Sequence, residues 1–304
     1  MTAEEQQKAR QGVLLALGAY TMWGIAPIYF KSLAAVSPLE ILSHRVVWSF
    51  FLLAALLHFG RHWRTVRDVL TSKSKMLYLV TTAILVGANW LIFIWAVNAN
   101  HMLDASLGYY INPLINVLLG MLFLGERLRK LQWFAVTLAT CGVLVQLVVF
   151  GSVPIVAIAL AFSFGLYGLL RKKVSVDAQT GLFIETLVML PAAAIYLLFI
   201  ASTPTSNMLA NPAHLNVLLV AAGVVTTLPL LCFTGAATRL KLSTLGFFQY
   251  IGPSLMFLLA VLIYGEAFTS DKAITFAFIW GALVLFSFDG LRYSRKNRRT
   301  RQTN

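Results

Sequence analysis

Ten apolar runs, each long enough to cross a bilayer, leave this chain little room for anything else. They cover residues 12–30, 38–58, 76–98, 104–124, 131–150, 153–170, 179–201, 212–236, 243–264 and 272–290. A helix of about twenty residues at 1.5 Å per residue matches a hydrocarbon core of about 30 Å. With 59% hydrophobic residues, 12% charged residues and a mean hydropathy of +0.79, a soluble globule is excluded. The net charge of +13 does not point to nucleic acid, because long uncharged runs separate the basic residues. Cys141 and Cys232 both lie inside apolar runs, which excludes a disulfide framework, and no histidine has metal-ligand spacing with a carboxylate or cysteine. The first run, from Gly12 to Phe30, is longer than the core of a signal peptide and reads as an uncleaved first span.

The links between runs are short, and their lysines and arginines alternate. Counting from the N-terminus, the odd-numbered non-spanning pieces hold twenty-one, the even-numbered side holds only Lys31 and Lys272 (the latter at the very edge of the last span), and Arg45 lies within a span. Positive charge is retained on the cytoplasmic side, so both termini are expected inside.

The stretch from Asp104 to Glu126, DASLGYYINPLINVLLGMLFLGE, returns as Leu242 to Glu266, LSTLGFFQYIGPSLMFLLAVLIYGE. Each has Leu-Gly near its start and Gly-Glu at its end, with Pro113 and Pro253 each thirteen residues before the closing glutamate. The Leu-Gly slips by two residues, but a period near 140 marks a doubled unit. The expected division is a cytoplasmic N-terminus (1–11), a first five-helix repeat (12–150), a second (151–290) and a basic cytoplasmic tail (291–304). Five spans is an odd number, so the second copy enters the membrane from the opposite side. Inverted repeats of this kind permit alternating access; structural doubling and a pore are the alternatives.

Polar residues within spans are costly and face a cavity or another helix. In span 1, Tyr20, Trp23, Gly24, Pro27 and Lys31 share a face, and Pro27 leaves the Trp23 carbonyl without its helical donor. The matching face of span 6 carries Ser163, Phe164, Tyr167 and Arg171. Span 4 places Gly108, Asn112, Asn116 and Gly120 on one stripe, and span 9 answers with Gly246, Gln249, Gly252 and Pro253. Asn89, Trp90 and Asn98 in span 3, and Thr226 and Thr227 in span 8, are weaker candidates of the same kind. Each set reads equally as a substrate wall or as close helix packing.

Span 2 holds His44 and Arg45, and Glu185 lies 141 residues after His44 in span 7. Each group is about 10 Å deep, but from opposite faces, so direct pairing is not assumed. His44 and Arg45 are candidates for the outer half of a pathway and Glu185 for the inner half, with helix anchoring as the alternative. Ser37, Pro38 and Glu40 fit a capping box, while Gly125 and Gly265 fit helix ends. Glu126 and Glu266 read as caps more than as gating acids, and Asp104 as a cap of span 4.

The strings GVLLALGAYTMWGIAPIYFK (12–31), EILSHRVVWSF (40–50), NWLIFIWAVNANHMLDASLGYYINPL (89–114), GMLFLGER (120–127) and RLKLSTLGFFQYIGPSLMFLLA (239–260) resemble the RarD-type proteins. These form part of the EamA group of the drug/metabolite transporter superfamily. The resemblance covers nearly the whole chain. It implies an all-α bacterial inner-membrane protein of ten transmembrane helices, two inverted five-helix repeats around a central cavity. It also implies an association with chloramphenicol sensitivity and relatives that commonly export small metabolites.

The expectation is therefore a secondary transporter working in the direction of export, with its cavity walled by spans 1, 3, 4, 6, 8 and 9. Substrate-pathway candidates are Tyr20, Trp23, Pro27, Asn89, Trp90, Tyr109, Asn112, Asn116, Tyr167, Gln249, Tyr250 and Pro253; coupling or gating candidates are His44, Arg45 and Glu185. The aromatic content favours a small-molecule substrate with an apolar body. Expected partners are that substrate, membrane lipid (including at the basic tail), protons if transport is coupled, and a second copy in a homodimer. Neither cofactor nor metal is called for, and no phosphate-binding loop is present. An intramembrane enzyme built on His44 and Glu185, and a membrane scaffold with no cavity, are the competing readings.

Overall fold

The computed structural model describes residues 3–33, 35–98, 102–150, 155–263 and 270–302. Gly265 and Glu266, and the side chains of Lys31, Asn98, Asp104 and Lys272, lie outside the described residues. The chain runs α1 (Ala3–Lys31), α2 (Pro38–Phe59), a short linker helix α3 (Trp63–Leu70), α4 (Lys73–Asn98), α5 (Met102–Leu124), α6 (Lys130–Phe150) and α7 (Ile155–Val174). It continues with α8 (Ala178–Ile195), which ends in a π-helical turn Tyr196–Ile200, then α9 (Ala213–Arg239), α10 (Leu242–Gln249), α11 (Ile251–Leu262) and α12 (Ser270–Gln302).

Among the described residues, eight of these helices are long and apolar enough to cross a membrane. The two expected spans that depart from that standard are the fourth and ninth, the pair that echo each other. The described apolar stretch of α5, Gly108–Leu124, is shorter, and the ninth span is divided between α10 and α11 at Tyr250. Pro113 lies inside a continuous α5, whereas Pro253 occupies the first turn of α11, where a missing N–H costs no intrahelical bond.

Large apolar side chains such as Phe51, Ile84, Leu122, Val148, Phe199, Val217 and Val284 point outward, while Thr82, Asn112, Asn116, Arg171 and Glu185 are buried. This inside-out distribution is what lipid as the surrounding solvent selects.

Helix pairing follows a two-fold rule. The counterparts across the repeat are α1 with α7, α2 with α8, α4 with α9, α5 with α10–α11, and α6 with α12. Helix α1 packs on α9, and its counterpart α7 packs on α4. Likewise α2 on α9 is answered by α8 on α4, and α1 on α11 by α7 on α5. The remaining major contacts, α2 with α8, α5 with α10, and α6 with α12, join counterparts directly, as helices at a two-fold axis must. The fold is an all-α bundle of two interleaved inverted repeats.

Two end structures bear on the site. Gly125 takes φ 62° and closes α5, a conformation that L side chains rarely adopt. The capping box expected at Ser37 does not form: Ser37 makes no side-chain cap bond to α2. Glu40 instead accepts from Thr203 and from Thr205 at 3.0 Å, tying α2 to the link after the π-helical turn.

Candidate functional site

Helices α2, α4, α8 and α9 line a cavity in which about 10 Å³ is open to the centre of a water-sized sphere. That is room for roughly one water molecule. Ten of its lining residues form five pairs, each 140 positions apart: Arg45 with Glu185, Val46 with Thr186, Ser49 with Met189, Val86 with Thr226, and Trp90 with Leu230. A cavity lined by matching positions of both copies lies on their two-fold axis.

Arg45 extends from α2 across to α9 and α4. Its Nε donates to Thr226 Oγ1 at 2.7 Å. Its guanidinium carbon lies 4.3 Å from the Trp90 ring centroid and 5.6 Å from that of Phe30, both within cation–π range. Its two terminal nitrogens make no hydrogen bond among the described residues, and no described carboxylate lies within ion-pair distance.

Glu185 occupies the matching position on α8 and is only 1% exposed. One carboxylate oxygen accepts from Thr82 at 2.6 Å and the other from Tyr167 at 3.3 Å. Arg171, 0% exposed, brings its Nε to 3.7 Å from Glu185 Oε1. Space for that guanidinium exists because position 181 is glycine: a Cβ there would lie 1.8 Å from Arg171 Nη1. Thus Arg45 and Glu185 share a cavity but no bond, and Glu185 takes its countercharge from its own half.

His44 lies beside this cavity and accepts from Trp48 Nε1 through Nδ1 at 3.3 Å. Among the described residues it shares no hydrogen bond with Glu185.

The cavity is bounded by spans 2, 3, 7 and 8, so of the six expected wall spans only 3 and 8 take part. Of the pathway candidates, Trp90 lines it directly and Tyr167 reaches it through Glu185. Tyr20, Trp23 and Tyr167 belong to an aromatic cluster with Phe164 and Phe233, their ring centroids 5.0–6.3 Å apart. Pro27 lies within α1. Asn89 donates to Leu160 O at 2.9 Å and Ser163 Oγ at 2.8 Å, joining α4 to α7. Tyr109 meets Phe93 edge-on.

The asparagine stripe forms a ladder between helices. Asn112 donates to Ala161 O at 2.7 Å, and Asn116 donates to Asn112 Oδ1 at 3.1 Å and Gln249 Oε1 at 3.0 Å. The helices meet closely here: a Cβ on Gly246 would lie 2.8 Å from Pro113 O. Tyr250 is buried and donates to Tyr110 O, and Pro253 is buried beside it. Small residues in spans 1, 4, 6 and 9 bring the helices together there: a Cβ on Gly108 would lie 3.0 Å from Ala157 O and one on Gly24 2.7 Å from Leu255 Cβ.

Sequence reasoning gave Arg171 little weight, because Arg-Lys-Lys at the end of a span looks like an ordinary basic flank. Gly181 was the available signal, a glycine one turn from Glu185. Glu126 also has a larger role than its position suggested. Its carboxylate accepts from Leu242 N at 2.6 Å, Ser243 N at 3.0 Å and Ser243 Oγ at 2.6 Å, capping α10 from the other repeat. Lys172 donates to the carbonyls of Ala237, at 3.1 Å, and Leu240, so the α9–α10 corner is held from both sides.

A two-fold helical bundle with apolar outer faces and charged groups inside is that of a multi-pass membrane protein. Residues 10–148 and 152–288 each match the profile of the EamA-like transporter family, and the chain belongs to that family. It is 77% identical to an uncharacterised transporter of Vibrio cholerae over 98% of both chains. It is 64% identical to Protein RarD of Salmonella typhimurium, over 96% of this chain and 99% of that one. A relative in Pseudomonas aeruginosa named Chloramphenicol-sensitive protein RarD is 34% identical over 95% and 97%. One solved crystal structure aligns with a TM-score of 0.70 at 20% identity, covering 90% of this chain and 96% of that one, a likeness of fold alone.

Proposed function

We propose that the chain is a secondary transporter that moves a small, amphipathic metabolite or drug-like molecule across the bacterial inner membrane by alternating access, in the direction of export. The observation that carries this reading is the placement of the cavity, whose facing walls are the same positions of two inverted repeats. Exchanging the conformations of the two halves then exchanges which side the cavity opens to. The alternation of basic links supports termini on the cytoplasmic side. The name of the Pseudomonas relative supports a drug-like molecule among the cargoes.

Proton coupling is assigned to Glu185, the carboxylate that reaches the cavity, with Arg171, Tyr167 and Arg45 as the ionisable groups that face it. Exposed alternately to the two sides, it has the placement of a carrier. Helix anchoring through Arg171 is the competing role.

The test is counterflow in proteoliposomes, using compounds first selected by thermal stabilisation of the purified protein from a metabolite and antibiotic panel. Accelerated exchange of a stabilising compound is expected, and a pH gradient should drive its accumulation. A correctly folded protein that exchanges none of the compounds it binds would defeat the transporter reading. Accumulation indifferent to the pH gradient would leave exchange or uniport and remove Glu185 as carrier.

A further inference from the structure

The charges around the cavity do not balance. Arg45 and Arg171 supply two guanidinium groups and Glu185 supplies one carboxylate, which Arg171 already holds at 3.7 Å. Arg45 therefore presents a positive charge inside the membrane with no anionic partner among the described residues. Such a charge is costly in this setting, and interior cations usually pair or mark a ligand path.

Its surroundings orient the guanidinium without neutralising it. Thr226 holds Nε, and the guanidinium carbon sits over the Trp90 ring. The end bearing the two terminal nitrogens is left for an acceptor, and that edge is shaped to bind a carboxylate through two parallel hydrogen bonds. Around it, Leu53, Val86, Leu182, Met189 and Leu230 supply apolar walls.

We infer that Arg45 is the binding group for an organic carboxylate, so that the transported class is small monoanions with an apolar body. This rests on the transporter reading above, since it names the substrate class of the same cavity. The present opening admits about one water, so an anion enters when the α2–α4 and α8–α9 walls part.

The test uses the full chain in detergent, with phenylacetate, hydrocinnamate and indole-3-acetate as probes and their primary amides as uncharged matches. Binding is read by thermal shift and titration. Losing a charged hydrogen-bond pair should weaken the amides by about tenfold or more. Arg45→Gln should erase that preference, and Arg45→Lys should keep part of it, retaining charge without the fork. Thr226→Val, which leaves the charge in place but releases Nε, should reduce the preference without erasing it and serves if Arg45→Gln fails to fold. Amides binding as well as acids, acids binding undiminished to Arg45→Gln, or neither series binding would each overturn the inference. Counterflow with the same compounds separates the two proposals. Binding without flux defeats transport and keeps the anion site, while flux of amides with no preference for acids keeps transport and defeats the anion site.

Discussion

The hydroxyl of Tyr250 donates to the backbone carbonyl of Tyr110 at 3.2 Å, and the two tyrosines occupy the same place in the two copies, 140 positions apart. Tyr110 has a different environment, its ring edge-on to Phe276. The bond falls where the copies have diverged, since α5 runs through this level unbroken and its counterpart is divided at Tyr250. Tyr250→Phe keeps the ring and removes the donor. It should lower stability by about 0.5–1.5 kcal/mol, the usual worth of one neutral hydrogen bond. Thermal unfolding in detergent measures this, and an unchanged midpoint would show that the bond is not a joint between the halves.

The buried pair of Arg171 and Glu185 should respond steeply to one-sided substitution. Arg171→Met leaves the Glu185 carboxylate without its countercharge and should cost about 3–5 kcal/mol. The double substitution Arg171→Met with Glu185→Leu should recover much of that loss, because an apolar replacement of both partners leaves no stranded charge. Gly181→Ala should be as damaging as the single change, since its Cβ would fall 1.8 Å from Arg171 Nη1 and the guanidinium would have to leave its place. Unfolding midpoints of the four proteins decide this. If the double variant is no more stable than Arg171→Met, the pair is not acting as a unit.

Glu126 should act on the first turn of α10 rather than on transport chemistry. Three donors of Leu242 and Ser243 converge on its carboxylate, so Glu126→Ala strands buried amides at a cost of about 1–3 kcal/mol. Hydrogen exchange should show lost protection at residues 242–249 while α2 and α8 remain protected. Uniform loss across the bundle would instead indicate global destabilisation with no local capping role.

The helix spans were legible because bilayer thickness and hydropathy dictate them, and the doubling because Leu-Gly, proline and Gly-Glu recur with a period near 140; no tertiary detail is needed to read either. The lining of the cavity was less so. An asparagine within a span looks the same in sequence whether it faces a ligand or, like Asn112, the Ala161 carbonyl of a neighbouring helix. Arg171 was obscured by Lys172 and Lys173, since all three fit a basic flank and only the fold separates the buried one. The repeat carried more information than its motifs suggested. Pairing positions 140 apart joins Arg45 to Glu185 and Trp90 to Leu230, and these pairs line the cavity although neither conserves residue type.

The ladder of Asn112, Asn116 and Gln249 offers a direct choice between a substrate wall and a helix joint. Asn116 links α5 to α10 through Gln249, and polar pairs within membrane bundles couple by about 0.6 kcal/mol on average and up to about 1.7. Asn116→Leu, Gln249→Leu and the double variant should therefore give a coupling energy in that range when unfolding is measured in detergent. A joint predicts lower stability in the single variants, with exchange per folded molecule retained in proteoliposomes. A substrate wall predicts the reverse, intact folding and abolished exchange. The contacts favour the joint, because the Asn112 and Asn116 amide nitrogens both donate to protein, and Gly246 brings the α10 backbone so close to Pro113 that no ligand fits between.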